Sequence, residues 1–344
     1  MPSPSFVRTL VRSPQAGLTG VLLVLWGLLA LAAGSHQDPL GGGTVNNFLN
    51  AHTLIQMATD ASGFAIMGVG ATIVIISGGI DLSVGAIYAL AGVAMAMVLR
   101  AAGPLPPVAA FGLGLAVCLG VAVTCGLLNG LMVVGLRVHP FIITLGTMWI
   151  LRGIAFVMSR AESILVPTSL TAVAKASLGL GRSLYPVPLL AMCAVTAIGA
   201  VFLTRTVAGR YVFAIGGNVE ASRFSGLPVA RSTIGVYVIS GLCAGIAAFL
   251  GAAFYGSATS SDANGYELYV IASAVVGGAS LVGGKGSALS AMIGALLIVT
   301  IRQAIRTLHF DQNYEWIIIG GALIAAVVID QGGTRLLTRL REAR

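Results

Sequence analysis

Charged and polar side chains are sparse in this 344-residue sequence, and the informative ones stand beside glycines or alone in apolar runs. Asp81 lies in Gly78-Gly79-Ile80-Asp81-Leu82-Ser83-Val84-Gly85, at the end of one such run. A carboxylate at this point can accept backbone N–H bonds, which suits capping of the helix that follows Leu82-Ser83. Arg152 lies in the run 141–158. A lone guanidinium there needs a partner, a water-lined cavity or a route to the interface. With Asn129, Thr144, Thr147 and Trp149 it could line a polar pathway or a subunit contact. The same residue types also hold helices together, at about 0.6 kcal/mol per interhelical hydrogen bond. The cysteines (Cys118, Cys125, Cys193, Cys243) sit in apolar runs without metal-ligand or CxxC spacing. No catalytic residue, metal site or cofactor site is expected, and no run carries the Asp/Glu/His chain of a proton-coupled pump.

Two further clusters are rich in glycine. Gly277-Gly278-Ala279-Ser280-Leu281-Val282-Gly283-Gly284-Lys285-Gly286 superficially suggests a phosphate-cradling loop. The pattern G-x-x-x-x-G-K-[ST] fails, because Ala279 stands at the first glycine and Gly286 at the hydroxyl that would hold magnesium. Any nucleotide-driven work therefore belongs to another chain. The segment 216–228 reads as a short helix with its own signals. Asn218 can cap it, Glu220 suits its first turn, and Gly226 ends it before Leu227-Pro228. Ala221, Arg223 and Phe224 ride on this helix, and an exposed Phe224 is built to dock into something. The plainer possibility is an interfacial helix with Phe224 among lipid headgroups.

What must position these clusters follows from composition. Hydrophobic residues make up 57% of the chain, charged residues 9%, and the mean hydropathy is +0.97. Soluble domains carry about 25% charged residues, so a water-facing globule is excluded, as is disorder. A hydrocarbon core about 30 Å thick takes roughly 20 apolar residues per helix. The runs fall at 17–33, 62–76, 84–99, 108–136, 141–158, 187–203, 232–254, 268–276, 287–305 and 316–329. They predict an all-α, polytopic transmembrane bundle of about ten spans. The run 268–276 is too short to cross unless the glycine-rich stretch after it also lies at membrane depth. Residues 159–186 read as an extramembrane segment with a short interfacial helix. Residues 1–16 and 331–344 read as tails, 17–330 as one membrane domain, and 204–231 as its main loop.

The net charge of +8 has a membrane explanation rather than a nucleic-acid one. With the N-terminus inside, Arg8, Arg12, Arg137, Arg205, Arg210, Arg223, Arg231, Lys285, Arg335, Arg339, Arg341 and Arg344 face the cytoplasm, and Arg100, Arg160, Lys175, Arg182 and Arg306 face outward. The positive-inside rule favours this orientation and puts both termini in the cytoplasm. An internal echo is also visible: Gly78-Gly79 and Gly277-Gly278, the latter with Gly283-Gly284, each follow a β-branched run and open a small-residue helix on the same side. This predicts a parallel pseudo-repeat.

Taken together, GGIDLSVG (78–85), GGN-x-EA-x-R-x-SG (216–226), GYEL (265–268) and GG-x-SLVGGKGS (277–287) resemble permeases of ribose-type ATP-binding-cassette (ABC) importers of bacteria. The likeness covers about residues 60–330. It implies a multi-pass inner-membrane subunit that pairs as a homodimer or with a related second permease. It also implies a cytoplasmic ABC ATPase and a periplasmic sugar-binding protein as partners, with no nucleic acid. By carry-over, 216–227 is the coupling loop, with Glu220, Ala221 and Gly226 seating its helix in a groove of the ATPase. Ser222 stands where that pattern has a second alanine. The implied cargo is a ribose-like monosaccharide, and the scarcity of charge in the spans suggests an uncharged pathway. Alternatives are an ABC permease for a nucleoside, autoinducer-2 or a branched-chain amino acid, or an ion-driven secondary transporter.

Overall fold

The computed structural model describes residues 14–37, 43–177, 185–322, 324 and 328. The molecule is mostly helical (76%). Helix α1 (Pro14–Ala32) leads through the hairpin β1 (Ser35–Gln37) and β2 (Thr44–Asn46) to α2 (Ala51–Ile76), α3 (Val84–Ala102), α4 (Pro107–Leu136) and α5 (Pro140–Ser159). Strand β3 (Ile164–Leu165) and the short α6 (Thr168–Ala174) precede α7 (Val187–Arg205), α8 (Val207–Gly217), α9 (Val219–Phe224) and α10 (Val229–Tyr255). Strand β4 (Ser257–Ala258), α11 (Tyr266–Val276) and α12 (Ala288–Thr307) follow, and residues 314–322 are again helical. The only sheets among the described residues are the antiparallel pairs β1–β2 and β3–β4.

Among the described residues, eight helices are long and apolar enough to cross a membrane: α1, α2, α3, α4, α5, α7, α10 and α12. α2 and α3 form the centre, with most of their side chains inside the protein, whereas α1 lies at the edge with only Leu22 and Leu29 buried. A helix apolar all round belongs in a protein interior or in lipid, and α2 and α1 represent the two cases. α4, 30 residues long, extends about 45 Å and must tilt in, or project from, a bilayer about 30 Å thick.

Local signals set the ends. Asn50 caps α2 by accepting from the Thr53 amide at 2.8 Å. Pro107 and Pro140 open α4 and α5, where a missing N–H costs nothing. The hydropathy pattern starts the second helix at 62, but α2 begins eleven residues earlier, because the polar turn holding Gln56 and Asp60 is itself helical; Gln56 donates to Asp60 at 2.9 Å, one turn on. Residues 204–218, expected as a loop, contain α8, capped by Thr206, whose hydroxyl accepts from the Gly209 amide at 2.9 Å. The run expected at 316–329 begins at 314 and is described as far as 322; of the expected tail 1–16, residues 14–16 already belong to α1, and 1–13, like the expected tail 331–344, lie outside the described residues.

α4 and α10 pack so closely that side chains are excluded between them. A Cβ on Gly126 would strike the Tyr237 carbonyl, and one on Gly241 the Ala122 carbonyl. Small residues allow such approach where no hydrophobic drive operates between helices. Gly235, on the same helix α10, has nothing within 4 Å of its would-be Cβ. Gly241→Ala should therefore lower the thermal midpoint of the detergent-solubilised protein, at an overpacking cost of about 1–3 kcal/mol. Gly235→Ala should leave it unchanged or raised, since alanine is the better helix former. Equal midpoints for the two variants would contradict this packing.

Candidate functional site

The first glycine cluster lies where α2 stops and α3 begins. α2 closes with Gly78 N–H donating to Ile75 O at 2.9 Å and Gly79 N–H donating to Val74 O at 3.0 Å, with Gly78 at φ 85°. This left-handed ending satisfies carbonyls that have no helical partner. Asp81 follows, and is buried. Its Oδ1 accepts from the Ser83 amide at 2.9 Å and the Ser83 hydroxyl at 2.6 Å, and its Oδ2 accepts from the Ser240 hydroxyl of α10 at 2.8 Å. Asp81 is thus the pivot of a tight turn two residues long. Ser83, not Asp81, occupies the N-cap position of α3, which revises the expected cap.

Three further helices bind this break. Asn129 of α4 donates to Ser83 Oγ at 2.7 Å. Thr144 of α5 and Tyr237 of α10 donate to the Ile80 carbonyl at 3.2 and 3.4 Å. Buried polar groups of this kind are costly unless they are paired, and here the pairing draws α4, α5 and α10 to one point. Ser240 and Tyr237 escape a sequence reading because each is an isolated polar residue in a long apolar helix.

The second cluster repeats the first. α11 ends with Gly278 N–H donating to Val275 O at 2.8 Å and Ala279 N–H donating to Ala274 O at 2.9 Å, with Gly278 at φ 91°. These are the same offsets as at the end of α2. The turns of residues 277–287 then carry the chain to the end of α2, where the Gly284 amide donates to Ile76 O at 2.8 Å. Gly283 also has positive φ, at 94°. The last turn of α8 seals this junction. A Cβ on Gly216 would collide with the Ile76 carbonyl and come within 2.7 Å of the Gly284 amide nitrogen. Both breaks and the end of α8 therefore share one contact.

α9 projects from the same junction. Asn218 Oδ1 accepts from the Ala221 amide at 2.9 Å, and Arg223 pairs with Glu220 at 2.9 Å on the exposed face. Such an exposed pair contributes little to stability. Ser222 points inward and donates to Asn218 O at 2.9 Å. Phe224 is 91% exposed, and Gly226, at φ 75°, turns the chain back so that the Leu227 amide reaches Ser222 O at 3.0 Å. Beside α9 opens a cavity of about 910 Å³ lined by Gly78, Gly79, Tyr237 and the basic residues Arg137, His139 and Arg223.

Arg152 lies at the other end of the bundle. It is buried, and its Nη1 donates to the carbonyls of Ser260 at 2.8 Å and Asp262 at 2.6 Å, with Nη2 donating to Ala263 at 3.2 Å. The Asp262 carboxylate in turn accepts from the Thr259 amide and hydroxyl at 2.9 and 2.7 Å. This holds the 259–263 loop down on Gly85 of α3, where a Cβ would lie 2.5 Å from Ala263 O and 2.6 Å from Glu267 Oε2. The five residues expected as a possible pathway do not all meet. Asn129 and Thr144 belong to the first break, Thr147 donates to Thr144 O within its own helix, Trp149 points outward at 69% exposure, and Arg152 clamps a loop. Among the described residues there is no group of three metal-ligating side chains.

Residues 53–327 match the family model described as the branched-chain amino acid transport system / permease component. The chain belongs to this permease family. It is 38% identical over 286 residues to the D-allose transport system permease protein AlsC of Escherichia coli (strain K12), covering 83% of this chain and 85% of that protein. It is 37% identical to the ribose import permease protein RbsC of the same strain, covering 83% and 87%. The fructose import permease protein FrcC of Rhizobium meliloti is 32% identical over 297 residues, covering 85% and 80%. The protein is thus a multi-pass membrane permease, a transport component rather than an enzyme.

Arg152 offers a direct check on the loop clamp. Arg152→Met keeps an apolar, unbranched stem and removes three charge-assisted bonds, each worth about 1.5–3 kcal/mol. Limited proteolysis of the membrane-embedded variant should then cut within 256–266 at least about tenfold faster than in the parent, a local opening worth 1.4 kcal/mol or more. Unchanged cleavage there would remove the clamp from the account.

Proposed function

We propose that this chain is the membrane-spanning permease of a bacterial ABC importer for a monosaccharide. The named relatives transport or import allose, ribose and fructose, and the cargo is carried over from those names. In this reading ten crossings are made. Eight are the long helices, the ninth is α11 completed by residues 277–287, and the tenth begins at 314. The matching bond offsets at the ends of α2 and α11 support a parallel pseudo-repeat, with α2–α3 and α11–α12 as equivalent hairpins. The basic residues Arg137, Arg205, Arg210, Arg223, Arg231 and Lys285 gather at the end that carries α9, which favours that end, and both termini, in the cytoplasm.

The partners follow from that orientation. A cytoplasmic ABC ATPase grips α9, with Phe224 as anchor and Glu220, Ala221 and Arg223 around it. A periplasmic sugar-binding protein delivers to the opposite end. A second permease, either a copy of this chain or a related one, completes the pathway. Residues 17–330 act as one permease domain with 204–231 as its coupling segment.

The junction of Gly216, Ile76 and Gly284 carries the mechanism. A push on α9 reaches α8, and through Gly216 reaches the ends of α2 and of the 277–287 segment together. Two packed arrangements of such rigid elements are how a small shift becomes an opening. The chain's own residues perform no bond-making step; ATP hydrolysis is the partner's.

Two substitutions test the coupling assignment in proteoliposomes holding the permease, its ATPase and its binding protein. Phe224→Asp puts a charge into the proposed ATPase groove, and Gly226→Val opposes the left-handed turn that ends α9, at about 1–2 kcal/mol of strain. Each should reduce ATP-driven sugar uptake at least about tenfold while the permease still inserts and remains folded in the membrane. Full uptake by both variants would refute the assignment, and uptake sustained by an ion gradient without ATP would refute the importer reading.

A further inference from the structure

The end of the bundle that holds the Arg152-clamped loop also contains a charged, aromatic vestibule. A cavity of about 280 Å³ is lined by Asp60 and Phe64 of α2, Tyr255 of α10, Tyr266 of α11, Arg302 of α12 and Glu315. A smaller recess of about 50 Å³ shares Asp60, Phe64, Tyr255 and Tyr266 and runs on to Thr59 and Tyr88. The size is near the lower end of small-molecule sites. The expectation of an uncharged pathway did not include this cluster, because Asp60 falls in a polar stretch and Arg302 inside a span.

The chemistry of the wall is specific. Tyr266 is half-buried and stacks on Phe64 with ring centroids 4.5 Å apart, and the ring of Tyr255 is 69% exposed at the rim. The Arg302 guanidinium sits over the rings of Phe64 at 5.5 Å and Tyr269 at 5.2 Å. Its Nε pairs with Glu315 Oε1 at 2.7 Å, and the same oxygen accepts from Tyr269 Oη at 2.7 Å. Arg306 pairs with Asp60 Oδ2 at 3.4 Å. Two cations and two carboxylates thus cancel. A zwitterion or an anion would have to break these pairs. A hydroxyl, which both donates and accepts, can share the carboxylates and guanidinium without breaking them. An aromatic face is negative at its centre and attracts the positive edge of C–H bonds, which the face of a pyranose or furanose supplies.

We infer that this vestibule binds one neutral polyhydroxylated ring, its C–H face on Tyr266 and Tyr255 and its hydroxyls among Asp60, Arg302 and Glu315. The inference rests on the monosaccharide reading above and deepens it, making the permease a receiver of the sugar rather than a bare channel. It also gives the GYEL segment a purpose. Arg152 holds 259–263, Gly265 turns the chain at φ 79°, and Tyr266 is thereby presented to the cavity while Glu267 packs toward Gly85.

The complete transporter, reconstituted with its ATPase and binding protein, supplies the test. Initial uptake of radiolabelled D-ribose, D-allose and D-fructose is measured beside ATP hydrolysis stimulated by the binding protein. Tyr266→Leu keeps bulk and loses the ring face, and should lower uptake about three- to tenfold. Hydrolysis should stay within about twofold, because α9 and the ATPase-docking end are untouched. Tyr266→Phe keeps the ring and should retain uptake, and Tyr255→Ala, at an exposed rim position, should lower it about threefold. Wild-type uptake matched by both Tyr266→Leu and Tyr255→Ala would overturn the site and leave the importer reading standing. Uptake of none of the three sugars by the wild type would overturn both. If Tyr266→Leu fails to assemble, Tyr255→Ala decides alone: reduced uptake supports the site, and unchanged uptake overturns it. Uptake of L-leucine, competing with and exceeding that of the sugars, would also overturn it.

Discussion

Hydrocarbon offers a backbone amide or carbonyl no partner, so a chain that breaks a helix at membrane depth must satisfy the freed groups from within the protein. The rest of this structure depends on how that constraint is met at two points. At the end of α2 and the end of α11, paired i→i−3 and i→i−5 bonds fold the last amides back onto orphan carbonyls. The carbonyl of Ile76, left over at the first break, accepts from Gly284 of the second, so each break completes the other. Asp81 and Ser83 then anchor the start of α3, and Ser240, Asn129, Thr144 and Tyr237 bring α10, α4 and α5 to the same place. A polar knot of this kind specifies one arrangement of apolar helices, which side-chain hydrophobicity alone does poorly in lipid.

The two ends of the bundle are chemically unlike. One gathers Arg137 and His139 around an open cavity beside α9, on which Arg223 pairs with Glu220 and Phe224 is exposed. The other pairs its charges, Arg302 with Glu315 and Arg306 with Asp60, among aromatic rings. An unbalanced basic surface suits a cytoplasmic partner and the lipid headgroups of that side. A neutralised, ring-lined pocket suits an uncharged solute. The difference follows from the balance of sign at each end, not from how much charge there is.

Much of this was legible in the residues. Asn218, Glu220 and Gly226 are cap, first-turn acid and stop, and α9 starts and ends where those rules put it. The two glycine clusters mark both breaks, because only glycine takes positive φ without cost. Other features were not legible. The length of α2 was hidden because Asp60 interrupts the apolar pattern, yet its neighbours Gln56 and Arg306 satisfy it. Helix α8 was hidden because Arg210 and its glycines read as loop, whereas Thr206 caps it. The five suggested pathway residues share a polar type but not a position, and periodicity along two helices cannot say which face of each meets which neighbour. The vestibule draws on α2, α10, α11, α12 and residue 315, elements far apart in sequence, so no local pattern could have assembled it.

α2 touches both ends, as does α10 through Tyr237 and Tyr255. Asp60 and Phe64 line the vestibule, and Ile76 closes the junction with Gly284 beneath Gly216. Sixteen residues of helix separate Asp60 from Ile76, about 24 Å at 1.5 Å per residue. This helix is buried almost all round, and its hydrogen-bonded ladder runs unbroken by proline along that length. In the proposed reading a displacement at Ile76 is delivered at Asp60, where it meets the Asp60–Arg306 pair, long at 3.4 Å and partly exposed. Holding a sugar and releasing it need not involve two machines. In the proposed reading, one rigid helix, pushed at its inner end, re-forms the outer wall against which the ring rests.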